Sequence, residues 1–175
     1  VWDGGSVWVA PTQARVHDVT SSSTNDTSAG AGARTVRVYG LTGWGTAEVN
    51  EDVILNGTSN VATANSYVII HRMQVMTVGS GGTNAGNITA TAQTDSTVTA
   101  QITAAFGQTL MAIYGVPSTK TLYVTQWYID WNRAQSAANN ADMQLQVKES
   151  ADQSDAPFVI KHHLGLYGSG STYAR

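Results

Sequence analysis

The sequence predicts an all-β fold: a single-domain antiparallel β-sandwich, jelly-roll-like, with extended glycine-rich loops and terminal arms. Three observations predict it. Apolar residues recur at every second position through most of the chain, the period at which a strand turns one face to a core. The alternating runs are separated by clusters of Gly, Asn, Asp, Ser and Pro, residues that favour turns. No segment carries an apolar stripe at helical spacing; the best helical candidate, Arg133 to Ala141, lacks one and reads as a loop.

Taken in order, Arg34 to Leu41 alternates, with Val36 and Val38 on one face and Thr35, Arg37 and Tyr39 on the other. Val49, Glu51, Val53 and Leu55 alternate with Asn50, Asp52 and Ile54, and the run ends at Asn56-Gly57, a tight-turn signal. Tyr67 to Val78 is apolar on both faces, as a strand buried on both sides should be. Asn87 to Gln93 and Thr97 to Thr103 are strands joined through Thr94-Asp95-Ser96. Thr109 to Val116 follows, then Pro117-Ser118 as a turn, then Thr121 to Trp131. Met143, Leu145 and Val147 oppose Gln144, Gln146 and Lys148, and Phe158 to Leu164 closes a set of roughly eight to ten strands.

The loops Ser21 to Gly32 and Gly79 to Gly86 are low in complexity, as is Gly168-Ser169-Gly170-Ser171. The expected organisation is an N-terminal arm with the first strand or strands at 1–20, a sandwich domain at 21–167 and a flexible tail at 168–175. The start at Val1 rather than Met suggests that further sequence precedes it.

Of 175 residues, 42% are hydrophobic but only 12% are charged, about half the usual share. Neutral polar groups must therefore keep the surface wet. The net charge of -3 offers no basic patch for a phosphate backbone, so nucleic acid is not an expected partner. No apolar run is long enough to span a bilayer, and no membrane partner is expected. The absence of cysteine excludes disulfides and thiolate chemistry.

Candidate chemistry is sparse. His162 and His163 are adjacent on a strand, so their side chains point to opposite faces and do not suit one metal ion. Glu48, Glu51 and Asp52 form the one dense carboxylate cluster, but all sit on one run rather than facing across a cleft. They read as solvated charges that discourage edge-to-edge pairing. Gly79-Ser80-Gly81-Gly82-Thr83-Asn84-Ala85-Gly86 lacks the lysine of a phosphate loop and leads into a strand. No Gly-x-Ser-x-Gly elbow occurs. Sequons at Asn25, Asn56 and Asn87 are expected by chance in a Thr-rich chain. The expectation is a non-enzymatic protein with no catalytic residues, metal or cofactor. The tryptophans Trp2, Trp8, Trp44, Trp127 and Trp131 are the candidate contacts, in a core, at a subunit interface or on a ligand.

Several stretches are similar to a recurrent family of tailed-phage virion proteins: Trp2-Asp3-Gly4-Gly5, Ala29 to Val36, Val53-Ile54-Leu55-Asn56-Gly57, and Gly79 to Ile88. So are Gln108 to Tyr114 with Val116-Pro117, Thr121-Leu122-Tyr123, Lys161-His162 and Leu164-Gly165-Leu166. These are turn and strand motifs, not catalytic ones, and no functional residue carries over from them. The resemblance implies a virion structural protein. We extend it to a capsid cement or decoration role on the outside of the shell, with no cofactor. The expected partners are copies of itself, as a homo-oligomer of trimeric type, and the major capsid protein or other virion subunits. A tail, baseplate or head-fibre component, with glycan or receptor binding through the tryptophans, is the alternative.

Overall fold

The structure, a computed structural model, describes residues 2–128, 140–153 and 155–167. The chain divides into two compact units, Val1–Thr121 and Leu122–Arg175, where the alternation predicts one domain over 21–167. The difference has a simple cause: a local period reports which residues share a face, not which strands share a core. The expected tail at 168–175, Trp131 and most of the loop from Arg133 lie outside the described residues.

The first unit is an antiparallel two-sheet sandwich built from β1 (His17–Ser21), β2 (Ala33–Leu41), β3 (Val49–Ile54), β4 (Val61–Ala62), β5 (Ile69–Val78), β6 (Ile88–Ala92) and β7 (Thr97–Ile102). One sheet runs β4-β1-β6-β7 and the other β3-β2-β5. The chain crosses between sheets after β1, β3, β4 and β5, leaving β2–β3 and β6–β7 as its hairpins. The second unit contains β8 (Asn140–Val147) paired antiparallel with β9 (Val159–Tyr167). The described residues contain no helix.

Both sheets of the first unit contribute to one core. Val19, Ile88, Ala90, Ala100 and Ile102 come from one sheet, and Val36, Val38, Val53, Ile70 and Met73 from the other. Ala90 and Ala100 stand opposite each other in register. Larger members of the cluster, among them Tyr67, Ile70 and Met73, supply its volume. Removing each such side chain from water stabilises the fold by about 1.5–3 kcal/mol, which is what outweighs the ordering of so many turn residues.

Three expectations are corrected. Thr109 to Val116 is not a strand, although its burial still alternates. Its start follows β5 through a Gln74–Gln108 bridge and a Thr109 N–H to Met73 carbonyl bond of 3.0 Å, and ladder pairing goes no further. Thr121 to Tyr128 likewise forms no strand. In Thr109 to Val116, alternation therefore recorded an extended chain lying on a core, which needs no hydrogen-bonded neighbour, whereas Thr121 to Tyr128 is exposed almost throughout. Finally, β5 is buried on both faces only in its first half, at Ile69, Ile70 and His71; Met76 and Val78 near its end are exposed.

Candidate functional site

The described tryptophans each meet a neighbour within their own unit. Trp2 closes a small turn by donating its indole N–H to the Ser6 carbonyl at 2.6 Å. Trp8 donates to the Thr99 carbonyl at 2.9 Å, at the irregularity in β7 where the register with β6 shifts. Further along the same arm, Thr12 and Arg15 hold the Asp95 carboxylate, with the Thr12 N–H at 2.8 Å and the Arg15 guanidinium at 2.9 Å. The backbone N–H of Thr12 is the leading cause that keeps Asp95 below the usual carboxylate range. Trp44 sits half-buried in the Gly43–Thr46 turn, and its carbonyl accepts from Ser118 N–H. Trp127 meets the His162 ring edge-on at 5.2 Å in the second unit. Each described tryptophan thus makes a local contact of its own.

The carboxylate run of β3 and its approach is also divided by the pleat. Asp52 points outward and pairs with Arg37, directly opposite in register, through contacts of 2.6 and 2.8 Å. That pairing holds Asp52 low and raises Arg37. Glu51 points inward and is not a solvated edge charge, contrary to expectation. It accepts from the N–H groups of Ala64 at 2.7 Å and Asn65 at 3.0 Å, from the Asn65 amide at 3.1 Å and from the Tyr67 hydroxyl at 2.8 Å. Burial pushes its carboxyl up, but these donors outweigh it and hold it below the usual range. Burial first, and then the Glu51 charge, raises the Tyr67 hydroxyl. Glu48 reaches His71 of β5 at 2.9 Å, and the Tyr114 ring lies 4.7 Å from the imidazole.

His162 and His163 point apart, as adjacent strand residues must. His162 faces Trp127, and His163 lies 3.4 Å from Asp142. Among the described residues no three His, Asp or Glu side chains gather in a way that could hold a metal ion.

Sequence reasoning missed the polar centre of the sandwich. Asp26, fully buried, binds two loops that look merely glycine-rich in sequence. Its Oδ1 accepts from the N–H groups of Ala33 at 2.7 Å and Ala85 at 2.8 Å. Its Oδ2 accepts from Gly86 N–H at 2.9 Å and the Ser21 hydroxyl at 2.5 Å. The Gly79 to Gly86 loop therefore wraps a carboxylate of this chain itself. Asn84, also buried, completes the wrap by donating to the carbonyls of Gly86 and Thr103. A lone acid inside the Ser/Thr-rich loop was the available signal.

No protein-family model, curated protein or solved structure matches the chain.

The second unit shows the opposite chemistry. Tyr123 is 81% exposed and Tyr128 85%, and Leu122, Val124, Phe158, Val159, Ile160 and Leu164 are exposed too. Two strands give a hairpin little apolar area to bury by itself. Most buried polar groups in the first unit are paired within the chain, the exceptions being His17 Nε2 and His71 Nδ1, whereas many apolar groups in the second face outward.

Proposed function

We propose that this chain is a structural, non-enzymatic subunit of a virus particle: a cement or decoration protein that binds the outside of a tailed-phage capsid. It stabilises the shell through contacts with copies of itself and with capsid subunits. One observation carries the reading. The apolar side chains of the second unit, Tyr123, Phe158 and Ile160 among them, face outward on and beside a two-stranded hairpin that gains stability when a neighbour covers them.

Two further features support it. The Glu48, Glu51 and Asp52 carboxylates are each engaged by a partner in this chain, which is the behaviour of structural groups. A surface low in charge and rich in Thr and Asn suits wide, wet contacts of modest strength repeated by symmetry. The likeness of the turn motifs to tailed-phage virion proteins points the same way.

The test is a symmetry-averaged cryo-electron microscopy map of particles that carry the chain. Density at many equivalent shell positions, bridging capsid subunits with the second unit at the contact, is the expected result. Density confined to the tail or to one vertex would overturn the cement role and move the protein to a tail, baseplate or head fibre.

A further inference from the structure

His17 and His71 occupy matching situations in the two sheets of the sandwich. His17 lies on the inward face of β1 with no exposed surface, and His71 on β5 is 8% exposed. In each ring one nitrogen is engaged and the other is buried without a protein partner. His17 Nδ1 lies 2.9 Å from the Arg15 carbonyl, so it carries the proton and donates; Nε2 is the buried, unpartnered atom. His71 is the mirror case, with Nε2 at 2.9 Å from Glu48 and Nδ1 buried and unpartnered. A neutral imidazole tolerates this, because its unpartnered nitrogen is only a lone pair. A second ring proton would become a buried donor with no acceptor, and the ring a buried cation.

We propose that His17 and His71 make the sandwich proton-gated: both sheets are held together while the two rings are neutral, and they loosen when acid forces a second proton onto either ring. The inference concerns the first unit alone and stands whether or not the chain is a capsid protein.

The surroundings of each ring set the direction. Around His17 stand Asp18 on its own strand, Asp95 in the β6–β7 turn, Arg15 before β1, and the Tyr67 ring at 6.1 Å. The two carboxylates and the Arg15 carbonyl favour the cation, yet burial outweighs them and lowers the pKa below 6.5. Around His71 stand Glu48, on the segment before β3, and Tyr114, on the segment after β7. Burial again outweighs the carboxylate and lowers the pKa. A histidine whose folded pKa is lowered binds fewer protons folded than unfolded. Its stabilising contribution is therefore complete above pH 6.5 and is lost as pH falls from there toward the folded value. The shifted carboxylates, Glu51, Asp52, Asp95 and Glu149, lie below their ordinary values in the fold and begin to lose their stabilisation only as pH nears those ordinary values. The upper part of the window, from pH 7.5 to about 5.5, therefore isolates the histidines.

The experiment is denaturant unfolding of the full chain between pH 7.5 and 5, beside nitrogen-15 histidine spectra of the folded protein. With four histidines in the sequence, each ring can be assigned, and exposed His162 and His163 supply reference signals. Below pH 6.5 the folded-to-unfolded ratio should fall up to about tenfold per pH unit for each histidine. The His17 and His71 rings should stay neutral in the folded protein, with protons on Nδ1 and Nε2 respectively. His17→Asn keeps a donor at the Nδ1 position and His71→Gln one at Nε2, so each should fold and remove one proton from the slope. The proposal is overturned by a flat wild-type profile, by both rings charging near pH 6.5 while the protein stays folded, or by variants that keep the full slope. Should either variant not fold, the wild-type spectra decide alone.

Discussion

The Tyr67 hydroxyl donates a 2.8 Å hydrogen bond to Glu51 Oε1, and this joins the inward face of β3 to the segment that leads into β5. Tyr67 has no exposed surface, so its hydroxyl has no water to turn to if Glu51 is removed. Glu51→Ala would also release the N–H groups of Ala64 and Asn65. We expect a loss of about 2 kcal/mol, set mainly by the stranded hydroxyl, since the released amides lie nearer solvent. Glu51→Gln should recover part of it. Tyr67→Phe removes the stranded group itself and should cost less than Glu51→Ala. Urea titrations of the three variants measure the order; Tyr67→Phe proving the most damaging would contradict it.

Asp26 should be the most sensitive polar position in the first unit. Asp26→Ala leaves three backbone N–H groups and the Ser21 hydroxyl without their acceptor, in a place from which water is excluded. At about 1–3 kcal/mol for each buried group left unsatisfied, the sum approaches the whole stability of an ordinary domain. Asp26→Asn keeps the shape but turns an N–H donor toward other donors, so it should rescue little. Hydrogen exchange provides the local reading: the amides of Ala33, Ala85 and Gly86 should lose protection before those of Val36 and Val38 in the core of β2.

These two acids show which parts of the molecule were legible beforehand. Strands such as β2, β3 and β6 were readable because alternation is local, and Val36, Val38 and Val53 lie inside as their spacing requires. The inward aim of Glu51 followed from the same period, but its partners lie 13 to 16 residues away and nothing local names them. Asp26 meets Gly86 across 60 residues, a pairing that only the folded topology creates. Short strands were lost for a different reason: β4 has two residues, too few for any period to show. The tryptophans were visible as residue types, yet their separation over an arm, a turn and a second unit depends on chain path rather than composition.

Thr94, Ser96 and Ala105 adopt positive φ, at 69°, 54° and 69°, where a β-carbon crowds the backbone. Ala105 brings no side-chain polar group to the turn after β7, and its N–H is held by the Asn84 carbonyl at 3.0 Å. Ala105→Gly should therefore relieve strain without losing a contact, raising stability by about 0.5–1 kcal/mol after allowing for the freedom glycine adds to the unfolded chain. Thr94→Gly should act in the same direction in the β6–β7 turn. A rise in the urea midpoint with unchanged slope is the expected signature, and a fall would mean that the methyl groups make contacts worth more than the strain.

Phe158 and Ile160 are 54% and 52% exposed, so the isolated chain gains little from them. Substituting both by Ser should leave the unfolding of the sandwich within about 0.5 kcal/mol of wild type, as surface changes usually do. Attachment to the particle is where the change should register. Burying a fully exposed large apolar side chain contributes about 1.5–3 kcal/mol, and about half of each remains to be covered. Losing two should therefore weaken binding by about ten- to a hundredfold, at about 1.4 kcal/mol per tenfold. Quantitative mass spectrometry of particles assembled with the double variant gives the copy number. A sharp drop with an unchanged melt assigns the hairpin to a contact with a neighbouring subunit. An unchanged copy number shows that the particle does not rely on this face, and a lowered melt shows that the two side chains support this chain's own fold.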